Sequence, residues 1–544
     1  MNFGPKLQEY LISCRESPFS GHTPSTDEIQ RAIAALVDPP TVSYKTFETI
    51  LALERAPLCA HISFLLTGAH ILPSCIRLLK WHCNDHIHLF DHAYGYLCFQ
   101  VMNLSIEIAK LAQVNKLQEF LQRGGARDKF ISKELAVHMR KWKAKEFAPP
   151  GLFLNPATKL LGWRTDTSSG LVTALSRIGG FTIRDVEFLL MRIWEARDKF
   201  LKTLKCALDL QNYAGWCGII HLMHNTLVRM NGIANVDGQV FDDISRWKCL
   251  IDVIHRYALC ANYYEESTIS YLLKDRPNNG REKYQITALD SADVDRIVAA
   301  YINKTSQQPT IVYAHTARLF SFAMKSCYLD ESKFTVNVTR ITQAALESSW
   351  VQIGTIGEAG ISAWTYFADT TFSTHIVIPT FTKFIHMHQI VMEIIVNESL
   401  LDFLGYFALY PLTAGSKAFV GIWRRWLPNQ LRVLDQFASL LKNYTASAPM
   451  ELIDVLHSIW NKTAQSLEYQ KVMKRSSEHA RDYISTWKIT WNQIGEAIGG
   501  YPSRCGYPRC PAPEAAGRLQ CAGCLGIGMP QLILIDRNAY HPWP

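Results

Sequence analysis

The sequence contains no run of about 18 or more residues that is apolar throughout and free of charge, the length a helix needs to cross a bilayer. The best candidate, residues 385–412, carries His386, His388, Glu393, Glu398 and Asp402, so a buried amphipathic helix is expected there. Near the start, Lys6, Glu9, Arg15 and Glu16 interrupt any apolar stretch that could form the core of a secretory signal. A soluble intracellular chain, cytoplasmic or nuclear and not secreted, is therefore expected. On that expectation the Asn-x-Ser/Thr triplets at Asn103, Asn303, Asn337, Asn397, Asn443 and Asn461 are chance matches.

Common catalytic signatures are missing as well. The chain has no Gly-x-Ser-x-Gly elbow, no His-Glu-x-x-His pair and no P-loop, so the common hydrolase and nucleotide-binding chemistries lose support. Asn235-Val-Asp237-Gly238 has the look of a calcium-loop centre, but Ile233 and Ile244 occupy the first and last ligand positions, which makes it a turn. Gly354, Gly357 and Gly360 lack dinucleotide-loop spacing and also read as a turn. There is no tail of one charge sign. The net charge of +8 is the small difference between 56 basic and 48 acidic residues, so nucleic-acid binding is permitted but not indicated.

What is present fits a large globular body. At 544 residues, 48% hydrophobic and 19% charged, the chain should fold into two or three packed units. Ser25 and Glu28 have capping-box spacing ahead of Ile29. Thr182 and Asp185 open a segment whose apolar residues Val186, Leu189, Leu190 and Ile193 step by three and four. The same register appears at Val294, Ile297, Val298, Tyr301 and Ile302, behind the candidate cap Ser291. A long pattern from Leu452 to Ile498 brings Trp487, Trp491, Ile494 and Ile498 onto one face before Gly499-Gly500 stops it. Phe334-Thr335-Val336-Asn337-Val338 and His375-Ile376-Val377-Ile378 are rich in strand formers, yet helix is favoured there. The expected fold is mainly α, a multi-helical body. With no fixed-period repeat, an irregular α-solenoid is allowed only in degenerate form.

Two polar clusters invite a functional reading. His82, Cys83, Asp85, His86, His88, Asp91 and His92 crowd one stretch. On one continuous helix, His86 and His88 would point about 200° apart, so the four histidines cannot converge on one ion and a structural role is expected. Arg127, Lys129, Lys133, Arg140, Lys141, Lys143 and Lys145, with Phe130 and Trp142, could grip phosphates, although a solvated helix face explains them as well.

The strongest signal is at the other end. Ten cysteines are scattered over residues 1–504 in mostly apolar settings and read as reduced core residues, whereas Cys505, Cys510, Cys521 and Cys524 fall within twenty residues. In a reducing compartment such density points to metal rather than disulfides. Each pair is separated by two to four residues, which lets both sulfurs face one ion, and two pairs complete a tetrahedron with Zn–S bonds of about 2.3 Å. Pro508 and Gly523 sit inside the knuckles, and Pro511 and Pro513 stiffen the connection.

These residues resemble a MYND-type zinc finger, in the version that ends many helical proteins of basidiomycete fungi: a tryptophan-bearing helix, a glycine pair, then Cys505-Gly-Tyr-Pro-Arg-Cys510-Pro and Cys521-Ala-Gly-Cys524. Leu89-Phe90-Asp91-His92-Ala93-Tyr94-Gly95-Tyr96-Leu97-Cys98-Phe99 is similar to a recurrent segment of the same proteins. The resemblance implies docking of proline-containing peptides from a protein partner. A full finger of this type holds two zincs through four ligand pairs, and this chain has two pairs, with one histidine, His541, and no cysteine after Cys524. Either the four thiolates form one site, binding one zinc at most, or each pair stays short of ligands and no zinc binds. The resulting expectation is an N-terminal helical region 1–150, a central one 151–446, C-terminal helices 447–500, a partial finger 501–524 and an irregular tail 525–544. An interaction or scaffold protein is favoured over an enzyme such as a methyltransferase, which MYND-type fingers also accompany, and nucleic-acid binding ranks third.

Overall fold

The computed structural model describes residues 3–16, 23–122, 163–165, 172–174, 183–227, 243–273, 288–307, 316–356, 400–413, 431–445 and 448–499, several of these stretches with short internal gaps. The fold is mainly α and multi-helical. Among the described residues the only strands are Trp163–Thr165 and Val172–Ala174, an antiparallel pair with Trp163 opposite Ala174. No single described helix is long and apolar enough to cross a membrane. The chain divides into two compact units, Met1–Lys304 and Thr305–Pro544. That division falls inside the stretch 151–446 that the sequence groups together.

The first unit is built around one apolar helix. Its helices are α1 (Leu7–Glu16), α2 (Thr26–Ala35), α3 (Tyr44–Leu51), α4 (Phe64–Thr67), α5 (Ile71–His82), α6 (Ala93–Gln113), α7 (Leu117–Gln122), α8 (Ile183–Glu195), α9 (Arg197–Asp209), α10 (Asp243–Cys260) and α11 (Ser291–Gln307). Leu97, Val101, Leu104, Ile108 and Leu111 of α6 are buried, and so are Cys98, Met102, Ile106 and Ala109 on its other faces. A helix apolar all round must be enclosed, and α1, α3, α4, α5 and α7 all pack on it. Each large apolar side chain removed from water there contributes about 1.5–3 kcal/mol.

Local signals hold in α2 and α8. Ser25 Oγ accepts from the Glu28 amide at 3.3 Å, while a Glu28 carboxylate oxygen accepts from the Ser25 amide at 2.7 Å, completing the capping box. Val186, Leu189, Leu190 and Ile193 are all buried, and α8 packs on α10. At α11 the cap lies one residue earlier than the sequence suggests. Asp290, not Ser291, accepts from the Asp293 amide at 2.7 Å, and the Asp293 carboxylate accepts from the Leu289 amide at 3.0 Å. Aspartate caps as well as serine, so the pattern alone could not choose between neighbours.

The second unit contains α12 (Thr316–Ser326), α13 (Glu331–Ile356), α14 (Leu400–Thr413), α15 (Met450–Met473) and α16 (Glu478–Ala497). Phe334–Val338 is helical despite its strand-forming residues, because burying Phe334, Val338 and Ile341 while exposing Val336 follows a helical period. His375–Ile378 lies outside the described residues. The pattern from Leu452 to Ile498 is two helices. The chain turns after Met473, and the Ser477 hydroxyl accepts from the Ala480 amide at 3.3 Å to start α16. Reversal lets the apolar face of α15 bury that of α16, and Trp487, Trp491, Ile494 and Ile498 are all enclosed. Gly499, at φ +106°, supplies the left-handed residue that ends the helix.

Close approaches lock this hairpin. The Trp460 indole donates to the Trp491 carbonyl at 2.7 Å, and the Trp491 indole donates to the Trp460 carbonyl at 3.1 Å. Trp460 lies against Gly495, where a Cβ would stand 2.6 Å from the ring. Gly405 of α14 meets Thr463 in the same manner, and Tyr483 Oη donates to the Ala408 carbonyl at 3.2 Å. Because its hydrogen bond holds Trp460 in place, Gly495→Ala should cost about 2 kcal/mol through overpacking, read as a lower urea midpoint of the second unit. An unchanged midpoint would show that the ring can slide aside.

Candidate functional site

The four clustered cysteines, Cys505, Cys510, Cys521 and Cys524, lie outside the described residues, as do the basic stretch 127–145 and the turn at 235–238. Gly354 is helical, within α13, and not in the expected turn; Gly357 and Gly360 lie outside the described residues. None of the ten other cysteines is in a disulfide among the described residues. Cys75, Cys83, Cys98, Cys217, Cys249, Cys260 and Cys327 are buried. Burial pushes the Cys83 and Cys249 thiols up to about 11. Such thiols are packing groups rather than nucleophiles. Among the described residues, no group of three or more His, Cys, Asp or Glu could hold a metal ion.

The histidine cluster takes a form that a continuous helix would forbid. Helix α5 ends at His82 and α6 begins at Ala93, and the reversal between them brings the His82 and His92 rings to 6.1 Å. His86 lies outside the described residues. His82 is fully buried in an aromatic box, 4.8 Å from Phe3 and 5.2 Å from Tyr94 between ring centroids. Neither of its ring nitrogens has a hydrogen-bond partner among the described residues, and the same holds for Tyr94 Oη. Burial, reinforced by His92 and opposed by Asp91, pulls the imidazole down to about 4. Gly95 makes the box possible: a Cβ there would lie 2.2 Å from the Leu89 carbonyl oxygen and 2.8 Å from His82 Nε2. Asp91 orders the preceding loop by accepting from the His88 amide at 2.9 Å and pairing with Lys199 of α9.

Two interior polar sets were not anticipated from the sequence. In the first, Arg256 of α10 forms a two-pronged bond with Asp293 of α11, both distances 2.8 Å, and Arg256 Nε donates to Asp252 at 3.2 Å. Arg197 of α9 lies 3.6 Å from the same Asp252 oxygen. Burial favours the neutral form of Asp293, but the Arg256 hydrogen bonds outweigh it and hold the carboxyl below its ordinary value. For Asp252, whose other oxygen has no partner among the described residues, burial wins and raises the carboxyl.

The second set joins α6 to the helical residues 217–224 and to α10. Lys110 Nζ lies 3.1 Å from His221 Nδ1, Cys217 Sγ donates to Glu107 at 3.8 Å, and Tyr257 Oη donates to Glu265 while accepting from the Trp216 amide at 2.8 Å. Asn103 bridges the Gly215 carbonyl and the Ile219 amide. All are buried. Burial, then Glu107 and Glu265, push the Cys217 thiol well above its ordinary value against the opposing charge of Lys110, so it serves as a donor and not a nucleophile. Chemically, these sets pin helices together. A signal for the second was available: Glu107 and Lys110, three residues apart, are the charges in an otherwise apolar α6.

Comparison with protein-family models finds no match, and comparison with curated proteins finds none either. Among solved structures, a "circular tandem repeat protein with novel repeat topology and enhanced subunit contact surfaces" aligns over 91% of this chain and 97% of its own, at 9% identity and a TM-score of 0.21. A likeness that low carries no argument about fold or function.

Proposed function

We propose that this chain is an intracellular interaction scaffold whose helical body carries a cysteine module that binds one zinc ion at most and docks a proline-containing segment of a protein partner. The observation that carries the reading is the spacing of Cys505, Cys510, Cys521 and Cys524, whose four thiolates match the ligand count of one tetrahedral zinc. Zinc would supply folding energy to the module rather than chemistry. The buried Arg256, Asp293, Asp252 and Arg197 of the body are engaged with one another in holding helices together, a structural use. The largely buried cysteines of the body suit a reducing compartment, where clustered thiols favour metal.

Elemental analysis of the purified chain should find about one zinc per chain, falling to near zero in Cys521→Ser. Zinc near zero in the unaltered protein would overturn the single-site reading. Capture of proline-containing peptides should be lost in Cys521→Ser and Cys524→Ser alike. Methyl transfer from a cofactor by the purified chain would instead establish an enzyme.

A further inference from the structure

We propose that the segment 3–7 is an acid-released strap, held shut only while the His82 imidazole beneath it is uncharged. This device is independent of the cysteine module. The strap lies across the α5–α6 corner through three backbone bonds: Leu7 N to Asp91 O at 3.0 Å, Ala93 N to Pro5 O at 3.0 Å and Tyr94 N to Phe3 O at 3.2 Å. Gly4, at φ +76°, lets it bend tightly over Tyr44 and Ala93. Phe3 then covers His82, with Trp81, His92 and Tyr94 also within 6.1 Å of its ring.

A proton on His82 would meet no acceptor among the described residues. Its two nitrogens have no partner among the described residues, and α6 comes so close at Gly95 that a Cβ there would stand 2.8 Å from Nε2. The groups around it offer little compensation. From the loop before α6, His92 opposes a positive charge; Asp91 favours one but is already paired with Lys199 of α9. From α6, the Tyr94 hydroxyl is held neutral by burial. On the side of its own helix, the adjacent Cys83 thiol is also neutral, pushed up to about 11. The strap contributes the Lys6 backbone, bridged to His92, and the apolar ring of Phe3. The other walls are the ends of α5 and α6 and the loop that joins them, which Asp91 ties to Lys199 of α9, whereas the strap is held at the edge by three backbone bonds and is the wall whose release costs least.

The direction follows from linkage. Closed, His82 titrates at about 4; released into water, it returns toward its ordinary 6.5. A group depressed in the closed state leaves closure at full strength above the open value and weakens it as pH falls toward the closed value. The opening equilibrium should therefore rise about tenfold per pH unit between 6.5 and 4, and level off below.

Hydrogen exchange of the full-length chain, read by mass spectrometry and corrected for intrinsic rates, tests this. Peptides spanning Leu7 and spanning Ala93–Tyr94 should lose protection on acidification across that window, while peptides from α16 should not follow the same slope. His82→Phe and, as a smaller apolar replacement, His82→Leu should keep the strap protected and remove the slope. Flat protection of the strap in the unaltered protein overturns the proposal whatever the variants do, and so does an unchanged slope in a folded His82 variant.

Discussion

Replacing Arg256 with alanine is expected to destabilise the first unit by about 3–5 kcal/mol, the cost of leaving a buried charge unpaired. Its guanidinium is fully buried and contacts Asp293 with two prongs, Asp252 through Nε and the Arg197 carbonyl at 3.3 Å. Removal strands a fully enclosed Asp293 carboxylate, which would have to take up a proton or admit water. The variant should therefore recover stability as pH falls, because its Asp293 would titrate above the ordinary carboxylate value, whereas the unaltered Asp293 is held below it. Denaturant titration followed by a probe in the first unit measures both effects. By contrast, removing Arg256 together with Asp293, as Arg256→Met with Asp293→Asn, should cost less than the single alanine substitution, since the enclosed Asp293 charge goes with its partner and Asp252 keeps Arg197 at 3.6 Å. Equal losses in the two variants would mean that the pair matters as volume and not as charge.

The second large effect is expected at Gly95. A methyl group there would lie 2.2 Å from the Leu89 carbonyl oxygen, a backbone atom that cannot swing away, and 2.8 Å from His82. Gly95→Ala should cost about 3 kcal/mol, at the upper end of overpacking, even though alanine is the better helix former by about 1 kcal/mol. The strain would lift the α5–α6 corner, so exchange at the strap should accelerate at neutral pH and lose its acid slope. Wild-type thermal stability in Gly95→Ala would sink this reading of the corner.

Much of the fold was legible because it rests on local physics. Ser25 with Glu28, the stepped apolar residues of α8 and the glycine stop after Ile498 each act within a few residues, so the sequence displays them directly. The pairing of Arg256 with Asp293 spans 37 residues and that of Lys110 with His221 spans 111, and no local pattern announces such partners. The arrangement of the histidine cluster was hidden for a geometric reason: the chain reverses between His82 and His92, and that corner, which no local pattern displays, creates the pair. Gly95 was visible only as one letter of a recurring segment, and its reason, close approach of His82 and a carbonyl, belongs to tertiary structure. The cysteine module, the clearest chemical signal in the sequence, lies outside the described residues, so its ligand set rests on spacing alone.

The reciprocal indole bonds of Trp460 and Trp491 join residues only 31 apart, across a turn of a few residues between α15 and α16. The loop they close is short, and its entropic cost correspondingly small. The first unit, in contrast, depends on contacts such as Lys80 with Asp185 and Asn103 with Gly215, which span 105 and 112 residues and must wait for distant chain to arrive. By contact order, the two halves should therefore assemble at different speeds. The tryptophan hairpin is the piece that can form early, before the slower topology upstream is complete.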